Sequence, residues 1–225
     1  RYVPPEFIVF DTAPLIEMLE RVREAEFVVR SNGTVQMPKE LAELAIPIGE
    51  GRYRMGIGGL HSSEKSIAHH ADDCTVLIDR DVASYYPSII LRCGLQPAQL
   101  APHFLPVYRG IVERRLAAKR AGRKIESDSL KIVVNGSFGK FGSPYSILYD
   151  PRLLIQVTLT GQLALLMLIE MVEGEGGQVV SANTDGVVIR CQREVVPDVN
   201  YAVTQWELST NFETEATEYK ALYSV

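Results

Sequence analysis

Three short runs in the 225-residue chain carry side chains at spacings that chemistry could use. The first is Asp81-Val82-Ala83-Ser84-Tyr85-Tyr86-Pro87-Ser88. An apolar run, Thr75–Ile78, precedes it and predicts a strand over Cys74–Asp81. Asp81 then ends a buried strand where a tight turn enters a helix. A carboxylate there can hold a hard cation through oxygen, and the free N–H groups of the helix start can hold phosphate. Asp79, two residues earlier, faces the same side. The second run is Lys131-Ile132-Val133-Val134-Asn135-Gly136-Ser137-Phe138-Gly139. Lys131 and Asn135 are four apart and share a helix face, although such a pair by itself is more often simply solvated. The third is Ser181-Ala182-Asn183-Thr184-Asp185-Gly186-Val187, in which Asn183 and Asp185 alternate onto one face. Taken alone, Asp185-Gly186 between two apolar stretches is an ordinary hairpin turn. Between Arg109 and Lys124 lie seven cations against Glu113 alone, and Arg115, Lys119 and Arg123 recur every four residues as one stripe. That stripe is either a solvated helix face or a place to meet phosphate.

Taken in order, the runs resemble motifs A, B and C of the family B DNA polymerases, over residues 75–191. The first matches D-x-x-S-L-Y-P-S, with Tyr85 in place of Leu. The second matches K-x-x-x-N-S-x-Y-G, with Gly136 for Ser and Phe138 for Tyr. The third is similar to D-T-D-S, with Asn183 for the first Asp and Gly186 for Ser. The resemblance implies template-directed addition of dNTPs to a primer 3′-hydroxyl. Two Mg2+ ions, with Mn2+ as a substitute, would sit at Asp81, Val82 and Asp185. Asn183 would offer a metal a neutral oxygen with less charge. Lys131 would contact the triphosphate and protonate the leaving pyrophosphate. Ser84, Tyr85, Tyr86, Arg115, Lys119 and Asn135 would complete the nucleotide site, with Arg114 and Arg120 as neighbours able to replace the two cations. Tyr86 would be the steric gate against a 2′-hydroxyl; the plain reading is a buried aromatic before Pro87. Gly56–Gly59 would correspond to a template-contacting Gly-Gly region. Primer–template DNA, dNTPs and accessory replication proteins are the implied partners. A phage or viral protein, cytoplasmic in its host, is the implied setting. Three other readings stay open: an RNA-directed polymerase, a non-catalytic palm-like remnant, which Asn183 motivates, and a plain structural domain in which the motifs arise by chance.

The fold expected is α/β (α+β), a polymerase palm whose small antiparallel sheet carries Asp81 and Asp185. An apolar helix, Arg152–Glu173, packs behind the sheet, and a helical fingers insertion interrupts it. The divisions expected are 1–70 leading into the palm, 71–103 palm, 104–143 fingers and 144–225 palm, with exonuclease and thumb not visible. Smaller expectations are a strand at Phe7–Phe10, helices at Pro14–Arg23 and Lys39–Ala45, and a turn at Asn32-Gly33. A helix starts at Pro87, and a basic helix runs over Leu105–Gly122. Ser127 or Asp128 caps a helix from Ser129 to about Gly139. Strands Val179–Ala182 and Val187–Cys191 form a hairpin, and a strand at Tyr219–Val225 closes the chain.

At 46% hydrophobic, the chain can bury a substantial core. The net charge of −5 is unusual for a nucleic-acid binder, so the local basic strip matters more than the sum. Cys74, Cys93 and Cys191 fit neither a disulfide framework nor a zinc site, and His61, His69, His70 and His103 show no ligand spacing. The chain opens at Arg1 without a signal peptide, and a longer parent protein is expected. Leu153–Val172 is apolar but carries Gln156, Gln162 and Glu170, which favours a core helix over a membrane span, and no membrane partner is expected.

Overall fold

A computed structural model describes residues 1–64 and 66–224. Two small hairpin layers open the chain after helix α1 (Ala13–Glu24): β1 (Val28–Val29) with β2 (Val35–Gln36), then α2 (Lys39–Ala42) and a sheet of β3 (Ile46–Ile48), β4 (Gly51–Met55) and β5 (Leu60–Ser62). Strand β6 (Ile67–His70) leads to β7 (Thr75–Val82), helix α3 (Tyr85–Arg92), and the helix pair α4 (Phe104–Arg120) and α5 (Lys124–Phe141). Helix α6 (Pro151–Gly174), hairpin β8 (Gln178–Ala182) and β9 (Gly186–Gln192), helix α7 (Val196–Thr210), β10 (Thr214–Tyr219) and β11 (Ala221–Ser224) follow.

The central sheet is antiparallel, in the order β10-β7-β9-β8. Its inner face, with Val76, Ile78, Val187 and Ile189, joins the main core. Its outer face buries Leu77, Val180 and Val188 under Ala71, Tyr219 and Leu222. Helix α6 packs behind the sheet as expected. Asp150 caps it by accepting from Arg152 N–H, Pro151 opens it, and it is buried almost all round from Leu154 to Val172. By length and composition α6 could cross a membrane, yet here it is the core helix, and its polar groups are spent inside. Gln162 pairs with both backbone groups of Gly56 (2.9 and 2.8 Å), and Thr158 donates to Ile57 carbonyl (2.9 Å). Those bonds fix the β4–β5 turn against the core. At the exposed edge of β8, Ser62 donates to Ala182 carbonyl and accepts from Ala182 N–H.

Several expected elements are placed differently. Phe7–Phe10 is not a strand: Val9 N–H meets Met167 Sδ, and Glu170 accepts from Asp11 and Thr12, so α6 side chains satisfy this segment and cap α1. Helix α2 stops at Ala42 because the chain turns into β3. Pro87 lies in the third position of α3, inside the first turn where Pro is tolerated. The α4–α5 break is only Ala121–Arg123, where Gly122 takes a left-handed φ of +69° that suits glycine. Ser127 and Asp128 therefore lie inside α5, and Glu126 pairs with Arg114 and Arg123 to hold its first turn. The closing strand divides into β10 and β11 at Lys220, while Val225 lies outside the described residues. Helix α7 and strand β10 were not expected at all.

Candidate active site

Strand β7 and the β8–β9 turn bring the two carboxylates together. Asp81 lies directly across from Gly186, and Val82 N–H donates to Asp185 carbonyl (2.8 Å). Asn183 Oδ1 accepts from Asp185 N–H (3.3 Å) and Gly186 N–H (3.0 Å), an Asx turn that a neutral amide makes as well as a carboxylate. The Asn183 oxygen expected for a metal is thus engaged in shaping the turn that presents Asp185. Space explains Gly186: a Cβ there would come within 3.0 Å of Arg80 carbonyl and 3.4 Å of Asp81 Oδ1. Asp79 accepts from Tyr219 hydroxyl (2.5 Å), a structural bond to β10.

Between β7 and α3, Ser84 adopts a left-handed backbone (φ 50°, ψ 47°), which is uncommon outside glycine and costs roughly 1 kcal/mol or more. The Arg115 guanidinium donates to its hydroxyl. Arg115 is only 8% exposed, and its Nε has no hydrogen-bond partner among the described residues. Such a buried, unspent donor is suited to an incoming anion. Lys119, one turn along, reaches Glu215 of β10. From α5, Lys131 and Asn135 face the same space. Tyr86 stacks on Phe138 of α5 at 4.0 Å between ring centres, and its hydroxyl donates to Gly58 carbonyl (3.1 Å).

One cleft of about 500 Å³ gathers Asp81, Val82, Ser84, Tyr85, Tyr86, Arg115, Lys119, Lys131, Asn135 and Asp185. Two residues depart from expectation. Tyr85 reaches the cleft but turns its ring into the core, where its hydroxyl donates to Gly161 carbonyl (2.5 Å), so the side chain is unavailable to a nucleotide. Arg123 leaves the cationic stripe, because α4 ends at Arg120 and Arg123 pairs with Glu126. Arg114 also turns to Glu126, whereas Arg120 does line the cleft. Glu213 and Glu215 line it too and were missed; they sit in an acidic stretch without motif, and only strand register brings them here. The Gly56–Gly59 turn touches the site from above, with a Cβ at Gly59 falling 2.8 Å from Thr184. A larger cleft of about 620 Å³ lies elsewhere, lined by residues 3–7, α3 and the start of α6. Its Asp150, Arg152 and Gln156 are spent on one another and on Val3, so it offers less chemistry.

Negative charge gathers at the carboxylate end of the cleft. Burial, and then the charges of Asp185, Asp79 and Glu215, raise Asp81 from its ordinary value to about 6, against a smaller opposing pull from Lys131. Among the described residues no group of three or more His, Cys, Asp or Glu has metal-ligand geometry. Magnesium asks for less than that, since one or two carboxylates with water and substrate phosphate suffice. The hard oxygen donors and uncompensated negative charge fit such an ion.

No protein-family model matches the chain. DNA polymerase II of Escherichia coli (strain K12) is 32% identical over 133 residues, which is 48% of this chain and 17% of that protein. The family B DNA polymerase of the hyperthermophilic archaeon Pyrobaculum calidifontis shares the fold with a TM-score of 0.52 at 18% identity, over 72% of this chain and 25% of that one. The chain thus spans a quarter or less of the length of these relatives. Over part of its length the chain is therefore similar in sequence to DNA polymerase II and in fold to a family B DNA polymerase.

Proposed function

We propose that this chain carries the catalytic centre of a template-directed DNA polymerase, which extends a primer 3′-hydroxyl with dNTPs on primer–template DNA. One observation carries the reading: residues from three separate runs and from α4 line a single cleft, anionic at one end and cationic at the other. Asp81 and Asp185, with Val82 carbonyl, would hold magnesium, or manganese in its place. The bound metal would lower the pKa of the primer hydroxyl and offset charge on the phosphates. Arg115, Lys119 and Lys131 would grip the triphosphate, fixing it for in-line attack and stabilising charge as it develops. As the bond to the leaving pyrophosphate breaks, Lys131 would give that oxygen a proton. Asn135 would lie beside the nascent base pair. The α4–α5 pair plays the part of fingers and the central sheet that of palm.

The direct test is extension of a primed template by the full-length protein with magnesium and dNTPs. Templated products support the reading; none, from protein that still binds primer–template, overturns it.

The same assay tests the gate. The Tyr86 ring is held between Phe138 and the Gly58 carbonyl, so it is a fixed wall and not a mobile side chain. Tyr86→Ala should raise ribonucleotide incorporation relative to dNTP by about tenfold or more, an amount typical of losing one close steric contact. Equal discrimination in variant and wild type would remove Tyr86 from that role.

A further inference from the structure

We infer that Glu215 is a built-in counter-ion for Lys119, occupying this phosphate-binding ammonium until a triphosphate replaces it; the inference rests on the function proposed above. Strand register places Glu215 directly beside Asp81, with both carboxylates on one face of the sheet. Like charges in opposed positions destabilise a strand pair, so a glutamate there needs compensation. Lys119 supplies it from α4, across the cleft, with its ammonium at the Glu215 carboxylate. Both side chains line the same cleft as Asp81, Asp185, Arg115 and Lys131. The carboxylate therefore stands where an incoming phosphate oxygen would otherwise meet Lys119.

Exposure makes the pair exchangeable. The Lys119 and Glu215 side chains are 52% and 58% exposed, so water and salt weaken the bond. A phosphate oxygen can take the place of a carboxylate oxygen at an ammonium, like for like. Glu215 is thus a positioning residue that acts through Lys119. It keeps the ammonium turned into the cleft when no nucleotide is present. It also sets a threshold, since a weakly charged anion does not displace it while a triphosphate, held at the same time by Arg115 and Lys131, does.

The test is calorimetric titration of the full-length protein with inorganic triphosphate in magnesium buffer, using wild type, Glu215→Gln, Lys119→Ala and the double variant. Glu215→Gln should bind about fivefold tighter, the scale of one exposed ion pair. Lys119→Ala should bind more weakly, and adding Glu215→Gln to it should change affinity by less than about twofold. In primer extension, Glu215→Gln should lower the KM for dNTP without raising kcat. A gain that persists on the Lys119→Ala background would assign the effect to overall charge and overturn the inference, as would no gain at all. Failure of the functional reading itself looks different: none of the four proteins would bind triphosphate.

Discussion

Asp81→Asn should lower templated dNTP incorporation by on the order of a thousandfold while leaving the metal-free protein slightly more stable. The two effects have opposite signs because one carboxylate serves two roles. In the proposed reaction it would be a charged oxygen donor at the end of β7, and Asn would supply a neutral oxygen of the same shape. In the metal-free fold it is a partly desolvated charge beside Asp185, Asp79 and Glu215, with only Lys131 pulling the other way. Removing that charge relieves repulsion without removing a packing contact.

The stability half of this prediction has a pH signature. Folded Asp81 keeps its proton up to about pH 6, whereas an unfolded chain loses it near its ordinary value of 3.8. Between those values the native state binds more protons, so this group makes stability fall as pH rises. Asn does not titrate. Wild type and variant should therefore be equally stable near pH 4 and diverge by about 1 kcal/mol above pH 6, a figure reduced for the solvent that reaches Asp81. Urea denaturation in EDTA at the two pH values measures this, and single-nucleotide incorporation measures the other half. Retained incorporation would take Asp81 out of the chemistry. A variant less stable at pH 8 would make it a structural residue.

What could be read from the sequence divides along physical lines. Strand β7, the β8–β9 hairpin and helix α6 are long or compact apolar runs with clear punctuation, and they lie within a few residues of expectation. Spacing alone left the three chemical runs ambiguous, and order and resemblance chose between the readings; the shared cleft is a tertiary fact. Glu215 was invisible because an exposed edge strand, Thr214–Tyr219, buries little and shows no alternation. Tyr85 could not be assigned to core or cleft from its position beside Tyr86, since the helix start decides which ring turns inward. Gln162 stands out as polar inside an apolar helix, but its partner, the backbone of Gly56, lies far away in sequence. Helix α7 did leave a trace: Val199, Ala202, Val203, Trp206 and Thr210 are buried at helical spacing, interrupted by enough polar residues to hide the stripe.

That helix carries the largest stability prediction. Trp206→Ala should cost about 4 kcal/mol, within the usual range for emptying a buried aromatic site. Trp206 is fully buried, and its indole N–H donates to Ala164 carbonyl of α6 (2.7 Å), so substitution removes both volume and a buried bond. The site cannot collapse easily. Behind the indole stands Phe212 at 5.8 Å, and Phe212 in turn sets its edge against Tyr85 at 5.5 Å and Phe7 at 5.8 Å. Tyr85 continues to Tyr86, and Tyr86 to Phe138. A cavity at Trp206 therefore opens at one end of an aromatic chain that runs through the proposed gate, Tyr86. Trp206→Phe keeps most of the volume and loses the N–H, and should cost about 1–2 kcal/mol. Trp206 is the single tryptophan, so unfolding in urea is followed by far-UV circular dichroism and not by fluorescence. A loss below about 1 kcal/mol for the Ala variant would mean that α7 is not anchored on α6 through this ring. With the predicted loss, and with protein still folded at low temperature, a drop in dNTP selectivity would show the aromatic chain transmitting packing from α7 to Tyr86.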